Sequence, residues 1–149
     1  MARAKYQVLV IPYKKNDNDT LYCIFKRSDM DECWQFIAGG GEDEETPKEA
    51  TIREIYEEAG IKTADVIELV SMAYVPANVI GEKHRQYWSK DTYVLPEYHF
   101  AFECDGEIQI SKEHSECILV GYEEAMKKLT WDSNRTALYE LNCRLLEKG

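Results

Sequence analysis

The chain has 149 residues, 44% of them apolar and 31% charged, and a net charge of −10. That is the composition of a soluble globular protein, long enough for one domain over 1–149 with a real core. The acidic balance argues against tracking along a nucleic-acid polymer, because nothing basic dominates to release counterions, but it allows a small polyanion shielded by metal ions.

No apolar run approaches the roughly 20 residues that a membrane span needs, and MARAKYQ runs straight into a strand-like segment. The cysteines (Cys23, Cys33, Cys104, Cys117, Cys143) are odd in number and scattered, without a Cys-x-x-Cys pair. Free thiols in a reducing, cytoplasmic setting are the expectation.

The first element is Tyr6 to Tyr13, nearly continuous in apolar and β-branched residues and therefore a buried strand. Lys14 to Asp19 turns the chain, and Leu21 to Arg27 is a second strand, so the two form a hairpin. Lys26 and Arg27 at its end serve as edge charges or reach a phosphate. After a loop, Trp34 to Ala38 is a short extended segment leading to Gly39, Gly40 and Gly41. Those glycines permit a close backbone approach, permit positive φ, or form a plain loop.

Pro47 to Ala59 is a helix with both ends marked. Thr46 caps it, Glu49 completes a capping box, Pro47 suits the first turn, and Gly60 suits a left-handed exit. Ile52, Ile55 and Ala59 make an apolar stripe, and Glu54, Glu57 and Glu58 share a second face. Carboxylates in the last two turns oppose the helix dipole by roughly 0.3–1 kcal/mol each. A bound cation reverses that penalty, and hard divalent ions take such oxygen ligands. A solvated acidic face is the alternative.

Beyond the helix, Val66 to Val75 is a strand. Pro76 to Thr92 is polar, with His84, Arg85, Tyr87 and Trp88, and reads as a lid, a substrate contact or a surface excursion. Tyr98 to Cys104 alternates like a strand, Asp105-Gly106 turns, and Glu107 to Ile110 is expected to pair back. Glu116 to Val120 is a further strand, Tyr122 to Leu129 a short helix, and Trp131 onward a last helix with Leu138, Leu141, Leu145 and Leu146 as its apolar stripe. Hairpins together with helices predict an α/β chain, a mixed sheet between helical layers.

The spacing Gly39-x5-Glu45-x7-Arg53-Glu54-Ile55-Tyr56-Glu57-Glu58-Ala59-Gly60-Ile61 resembles the Nudix box at every fixed position. The resemblance implies a MutT-like Nudix α/β/α sandwich and a hydrolase that splits a phosphoric anhydride bond with Mg²⁺ or Mn²⁺. It further implies Glu54, Glu57 and Glu58 as metal-binding carboxylates and the Gly39 carbonyl as a further ligand. Arg53 would then orient the cluster and Glu45 support it, with Glu57, Glu54, Arg53 and Glu113 as the catalytic set. Glu113, which precedes His114 as in related members, is preferred over Glu116 as an extra acid and ligand. The implied partner is a small phosphoanhydride substrate, the protein acting as a monomer or homodimer away from membranes.

Trp34-Gln35, Glu113-His114 and Trp131-x-Ser133-Asn134-Arg135 together resemble the dihydroneopterin triphosphate pyrophosphohydrolase branch, whose members also take dATP-like nucleotides. That likeness makes Lys26, Arg27, Trp34, Arg85 and Arg135 candidate substrate contacts. Against it, Leu119 stands where that branch often has Trp. Pro76, 15 residues past the box, is similar instead to ADP-ribose-type members. A nucleoside diphosphate sugar, a dinucleoside polyphosphate, or a Nudix-fold module that only binds nucleotides are the alternatives.

Overall fold

A computed structural model describes residues 3–80 and 82–147 of the chain. Its centre is a mixed seven-stranded sheet. Strands β1 (Arg3–Asn16) and β2 (Asp19–Arg27) form the expected hairpin, but they pair only from Tyr13↔Tyr22 to the turn. Beyond that point they part. β1 takes β4 (Ile37–Glu42) on the vacated edge, through Gln7↔Gly40 to Val10↔Ile37. β2 turns to β3 (Trp34–Gln35) and β7 (His114–Val120). On its other edge β1 runs parallel to β6 (Val94–Glu103), which pairs antiparallel with the edge strand β5 (Ile67–Pro76). The fork between β1 and β2 leaves β4 with β1 as its only strand partner among the described residues.

The side-chain period of two along β1 divides the core. Val8 and Val10 face helix α1 (Pro47–Ala59), with Phe25, Ile37, Ile55, Ala59, Phe100 and Phe102. Leu9, Ile11 and Tyr13 face the other way, toward α3 (Tyr122–Lys128) and α4 (Asp132–Glu147), with Trp34, Phe36, Leu138 and Leu141. Burying both faces explains why β1 reads as an almost unbroken apolar run. The result is the expected α/β/α sandwich.

Several expectations need correction. The glycines 39–41 lie in β4 itself, and among the described residues the one glycine with positive φ is Gly60, at +73° after α1. Glu107 to Ile110 does not pair back as a strand, and the Gln109 amide instead donates to the Ala59 carbonyl at 3.0 Å, closing over the end of α1. Leu146 is 73% exposed, so the α4 stripe is Leu138, Leu141 and Leu145. The stretch from Pro76 to Thr92 contains a 3-10 turn (Ala77–Val79) and a short helix α2 (Glu82–Arg85). Cys23 and Cys117, 94 residues apart in sequence, meet as a disulfide between β2 and β7, so only Cys33, Cys104 and Cys143 are free thiols. No described helix is long and apolar enough to cross a membrane.

Candidate active site

Helix α1 is anchored at both ends. The Thr46 hydroxyl accepts from the Glu49 amide at 3.2 Å, and the Glu49 carboxylate accepts from the Thr46 amide at 2.9 Å. Gly60 donates to the Tyr56 carbonyl at 2.9 Å. Thus each carboxylate on α1 has a set angular position. Glu54 and Glu58 share the buried face with Ile55 and Ala59, whereas Ile52 is only half-buried and Glu57 is exposed. The helix therefore presses two carboxylates into the protein and leaves one in solvent, a different division from the one its periodicity suggests.

The glycines make room for this. Gly39 faces α1, and a Cβ there would collide with the Glu54 carboxylate. Gly40 points to the opposite face, where a Cβ would strike the Arg3 guanidinium, and Gly41 leaves room for the Tyr6 ring. Close approach, rather than backbone conformation, is what these three positions require.

Arg53 gathers the surrounding acids. Its Nε and Nη2 donate to the two Glu45 oxygens at 2.9 and 3.0 Å, Nη2 also to the Gly40 carbonyl at 2.8 Å, and Nη1 to Glu57 at 3.0 Å and Glu54 at 3.2 Å. The bond from Arg53 holds the Glu45 carboxyl below its usual range, while the same bond raises the pKa of Arg53. Glu54 behaves oppositely. Burial pushes its carboxyl up to about 7, with Arg53 offsetting only part of that. Burial also raises Glu58, although the Ser111 hydroxyl donates to it.

That contact brings a second loop to the site. Ser28 ties it down further, its amide donating to the Glu113 carbonyl and its hydroxyl to the Lys112 carbonyl, both at 3.0 Å. Glu113 thereby lines the cavity along with Glu54, Glu57, Glu58 and Gly39, whereas Glu116, in β7, does not. His114 beside it is buried, 3.7 Å from Glu58, and burial lowers its pKa.

The cavity is about 1320 Å³ and opens at the fork of the sheet, reaching both faces of β4. On the α1 face it meets the carboxylates. On the α4 face it meets Gln7, Leu9 and Glu97, with Gln35, Trp131 and Asn134 at its side. Trp131 donates through Nε1 to Gln35 at 3.1 Å, and the buried Asn134 accepts from the Phe36 amide at 2.9 Å.

Of the five expected substrate contacts, only Arg27 lines this cavity, and it is engaged by Asp29 through bonds of 2.7 and 2.6 Å. Lys26 pairs with Glu32 at 3.2 Å. Trp34 is a core side chain, 7% exposed, with Lys128 over its ring. Arg85 is exposed on α2 while its neighbour His84 faces the cavity. Arg135 folds back onto Asp132 and the Leu129 carbonyl. Sequence alone missed Arg3, Gln7 and Glu97. No motif marks them, and only the alternation of polar side chains at the ends of β1 and β6 hints at a non-core role.

The donor set suits a hard divalent cation. It consists of oxygens only, and two of the carboxylates are buried with too little positive charge for their burial. Among the described residues no three acids or histidines stand close enough to make a ready-formed cage. Arg53 occupies the space between Glu57 and Glu54.

A profile of the NUDIX domain matches residues 5–141. The chain belongs to the NUDIX family. A NUDIX hydrolase structure from Listeria monocytogenes is 42% identical to this NUDIX protein, covers 97% of each chain and superposes with a TM-score of 0.81. The Escherichia coli dihydroneopterin triphosphate pyrophosphohydrolase shares the fold at a TM-score of 0.73, with 22% identity over 95% of this chain and 99% of that one. The RNA pyrophosphohydrolase of Tolumonas auensis is 53% identical over 38 residues, 26% of this NUDIX protein and only 22% of that relative's length. Nudix hydrolases generally use divalent metal ions.

Proposed function

We propose that this NUDIX protein is a metal-dependent pyrophosphohydrolase. It would cleave a dATP-like nucleoside triphosphate or dihydroneopterin triphosphate to the monophosphate and pyrophosphate, with Mg²⁺ or Mn²⁺ as cofactor. The observation that carries this reading is the burial of Glu54, against the space left by Gly39, and of Glu58, on one cavity with Glu57 and Glu113. Two buried carboxylates destabilise the fold unless a cation joins them, so their placement makes sense as a ligand set.

Glu54, Glu57, Glu58 and the Gly39 carbonyl would hold the metal. Its chemistry there, once bound, is to shield the phosphates and lower the pKa of the attacking water. Arg53 positions the cluster through Glu45, Glu54 and Glu57 rather than touching substrate. Glu113, on a loop pinned by Ser28 and Ser111, would take a proton from water in the cavity it lines. Arg27 would meet the phosphates by exchanging one Asp29 oxygen for a phosphate oxygen, a geometry its planar fork suits.

A second reading, ADP-ribose-type substrates, draws on Pro76, which lines the same cavity with Val79 and Ile80. Incubation with Mg²⁺ and, in turn, dATP, dGTP, dihydroneopterin triphosphate, ADP-ribose, dinucleoside polyphosphates and 5′-triphosphorylated RNA separates these readings. Pyrophosphate release from the first three, abolished by chelator, is the expected result. Release that persists in excess chelator contradicts the metal mechanism, and binding without release marks a non-catalytic module.

A further inference from the structure

The cavity's α4 face holds a row of polar groups that hydrolysis of a phosphoanhydride does not require. Gln7 on β1 pairs in register with Glu97 on β6, which puts both side chains on this face. Gln7 Nε2 donates to Glu97 Oε2 at 2.6 Å. His99 Nε2 lies 2.8 Å from Glu97 Oε1, and the Ser71 hydroxyl lies 3.0 Å from His99 Nδ1. Nε2–H donates to Glu97, and the Ser71 hydroxyl, which also meets the Glu140 carboxylate, closes the chain at Nδ1. Behind Gln7, its Oε1 accepts from Arg3 Nη2 at 3.3 Å.

Glu97 is 3% exposed and His99 1%, yet Glu97 borders the cavity. A carboxylate at a cavity wall, fixed from behind by Gln7 and His99 and without an ion pair to Lys or Arg among the described residues, is an acceptor held in place for something that enters. Each of its oxygens accepts one bond from the protein and retains a lone pair. Around it the floor is apolar, with Leu9 and Ala38 paired across β1 and β4, and the Trp131 ring, 40% exposed, stands at the side. An apolar floor, an aromatic edge and one bidentate acceptor fit a flat heterocycle.

We propose that Glu97 is the specificity determinant of this site and selects a heterocycle presenting two adjacent donors, a ring N–H beside an amino group, as in the 2-amino-4-oxo edge of a pterin or of guanine. This rests on the phosphoanhydride reading for the other half of the cavity and deepens it by choosing among triphosphates. Adenine offers an amino donor next to a ring acceptor, so a carboxylate meets one of its two edge groups with repulsion. Gln7 and His99 act as positioning residues that keep both oxygens of Glu97 turned to the ligand.

The test compares wild type with Glu97→Gln, which keeps the shape and swaps one acceptor for a donor. With Mg²⁺ present, the ratio of kcat/KM for dGTP or dihydroneopterin triphosphate to that for dATP should fall by about tenfold or more, mainly through KM. A ratio within twofold of wild type overturns the proposal, whether both rates stay up or both fall together. In parallel, titration of neopterin and of guanosine, which carry no phosphate, into the chelator-treated protein reads the subsite without catalysis. Both should bind wild type at least fivefold more tightly than Glu97→Gln, and adenosine should show no such preference. Equal binding to both proteins overturns the subsite, while selective binding by a wild type that hydrolyses none of the triphosphates sustains it and removes the hydrolase reading instead. Gln7→Leu serves if Glu97→Gln melts early, and it should lower the same ratio.

Discussion

Replacing Glu54 with Gln separates stability from function at the centre of the site. Glu54 is buried on α1, and burial raises its carboxyl to about 7 from the ordinary 4.5. A raised pKa in the folded state means that folded protein binds the proton more tightly than the unfolded chain does. The carboxyl's favourable contribution is complete below pH 4.5 and is lost as pH rises to about 7. Above pH 7 the ionised side chain costs the metal-free protein up to about 3 kcal/mol, the free-energy equivalent of that pKa difference. Gln has the same shape without the charge, though its amide still pays part of the desolvation. We therefore expect Glu54→Gln to be more stable than wild type by about 1–3 kcal/mol at pH 8 in chelator, and equal to it near pH 4.5. In urea this is a midpoint shift of roughly 1 M at a slope usual for small domains. Added Mg²⁺ should stabilise wild type and leave the variant unmoved, and pyrophosphate release by the variant should fall at least a hundredfold. A metal-free Glu54→Gln protein less stable than wild type at pH 8 would refute the reasoning, since it would mean that Arg53 already compensates the buried charge.

Three further predictions probe neighbouring features. Gly39→Ala puts a methyl group where the Glu54 carboxylate lies; because the end of a flexible side chain can swing away, stability should change by under about 1 kcal/mol while turnover drops at least tenfold, read by thermal melting beside pyrophosphate release. Glu57→Gln, exposed on α1, should leave the melting temperature within a few degrees of wild type and lower turnover at least a hundredfold; unchanged activity would remove the proposed site. Trp34→Ala should cost about 3–5 kcal/mol in chemical denaturation, as a buried core ring does, with KM of the folded fraction nearly unchanged. A raised KM with little loss of stability would restore Trp34 as a substrate contact.

The helix carrying the acids was legible because its signals are local. A capping box spans four residues, a C-terminal glycine one, and the i, i+3, i+4 spacing of Glu54, Glu57 and Glu58 follows from helix pitch alone. The β1–β2 hairpin and the apolar run of β1 are local in the same sense. Less legible was which side of the helix faces inward. Periodicity favoured Ile52, but Gly39 of β4 leaves space beneath Glu54, and the helix is rolled so that Glu54 and Glu58 are buried.

Sequence by itself thus determined the family, the mixed α/β class and the acidic helix, since each depends on residues a few positions apart. Tertiary structure alone decided the rest of the site. Which of Glu113 and Glu116 meets the cavity depends on where Ser28 and Ser111 hold the loop; that Trp34 is core and Trp131 is wall depends on which way β3 and α4 turn. Gln7, Glu97 and His99 come together only because β1 and β6 pair in parallel, and Arg3 joins them only because Gly40 leaves it room. Strand pairing brings together residues about 90 positions apart without any trace in local pattern, since a one-residue change of register would turn each of these side chains to the opposite face.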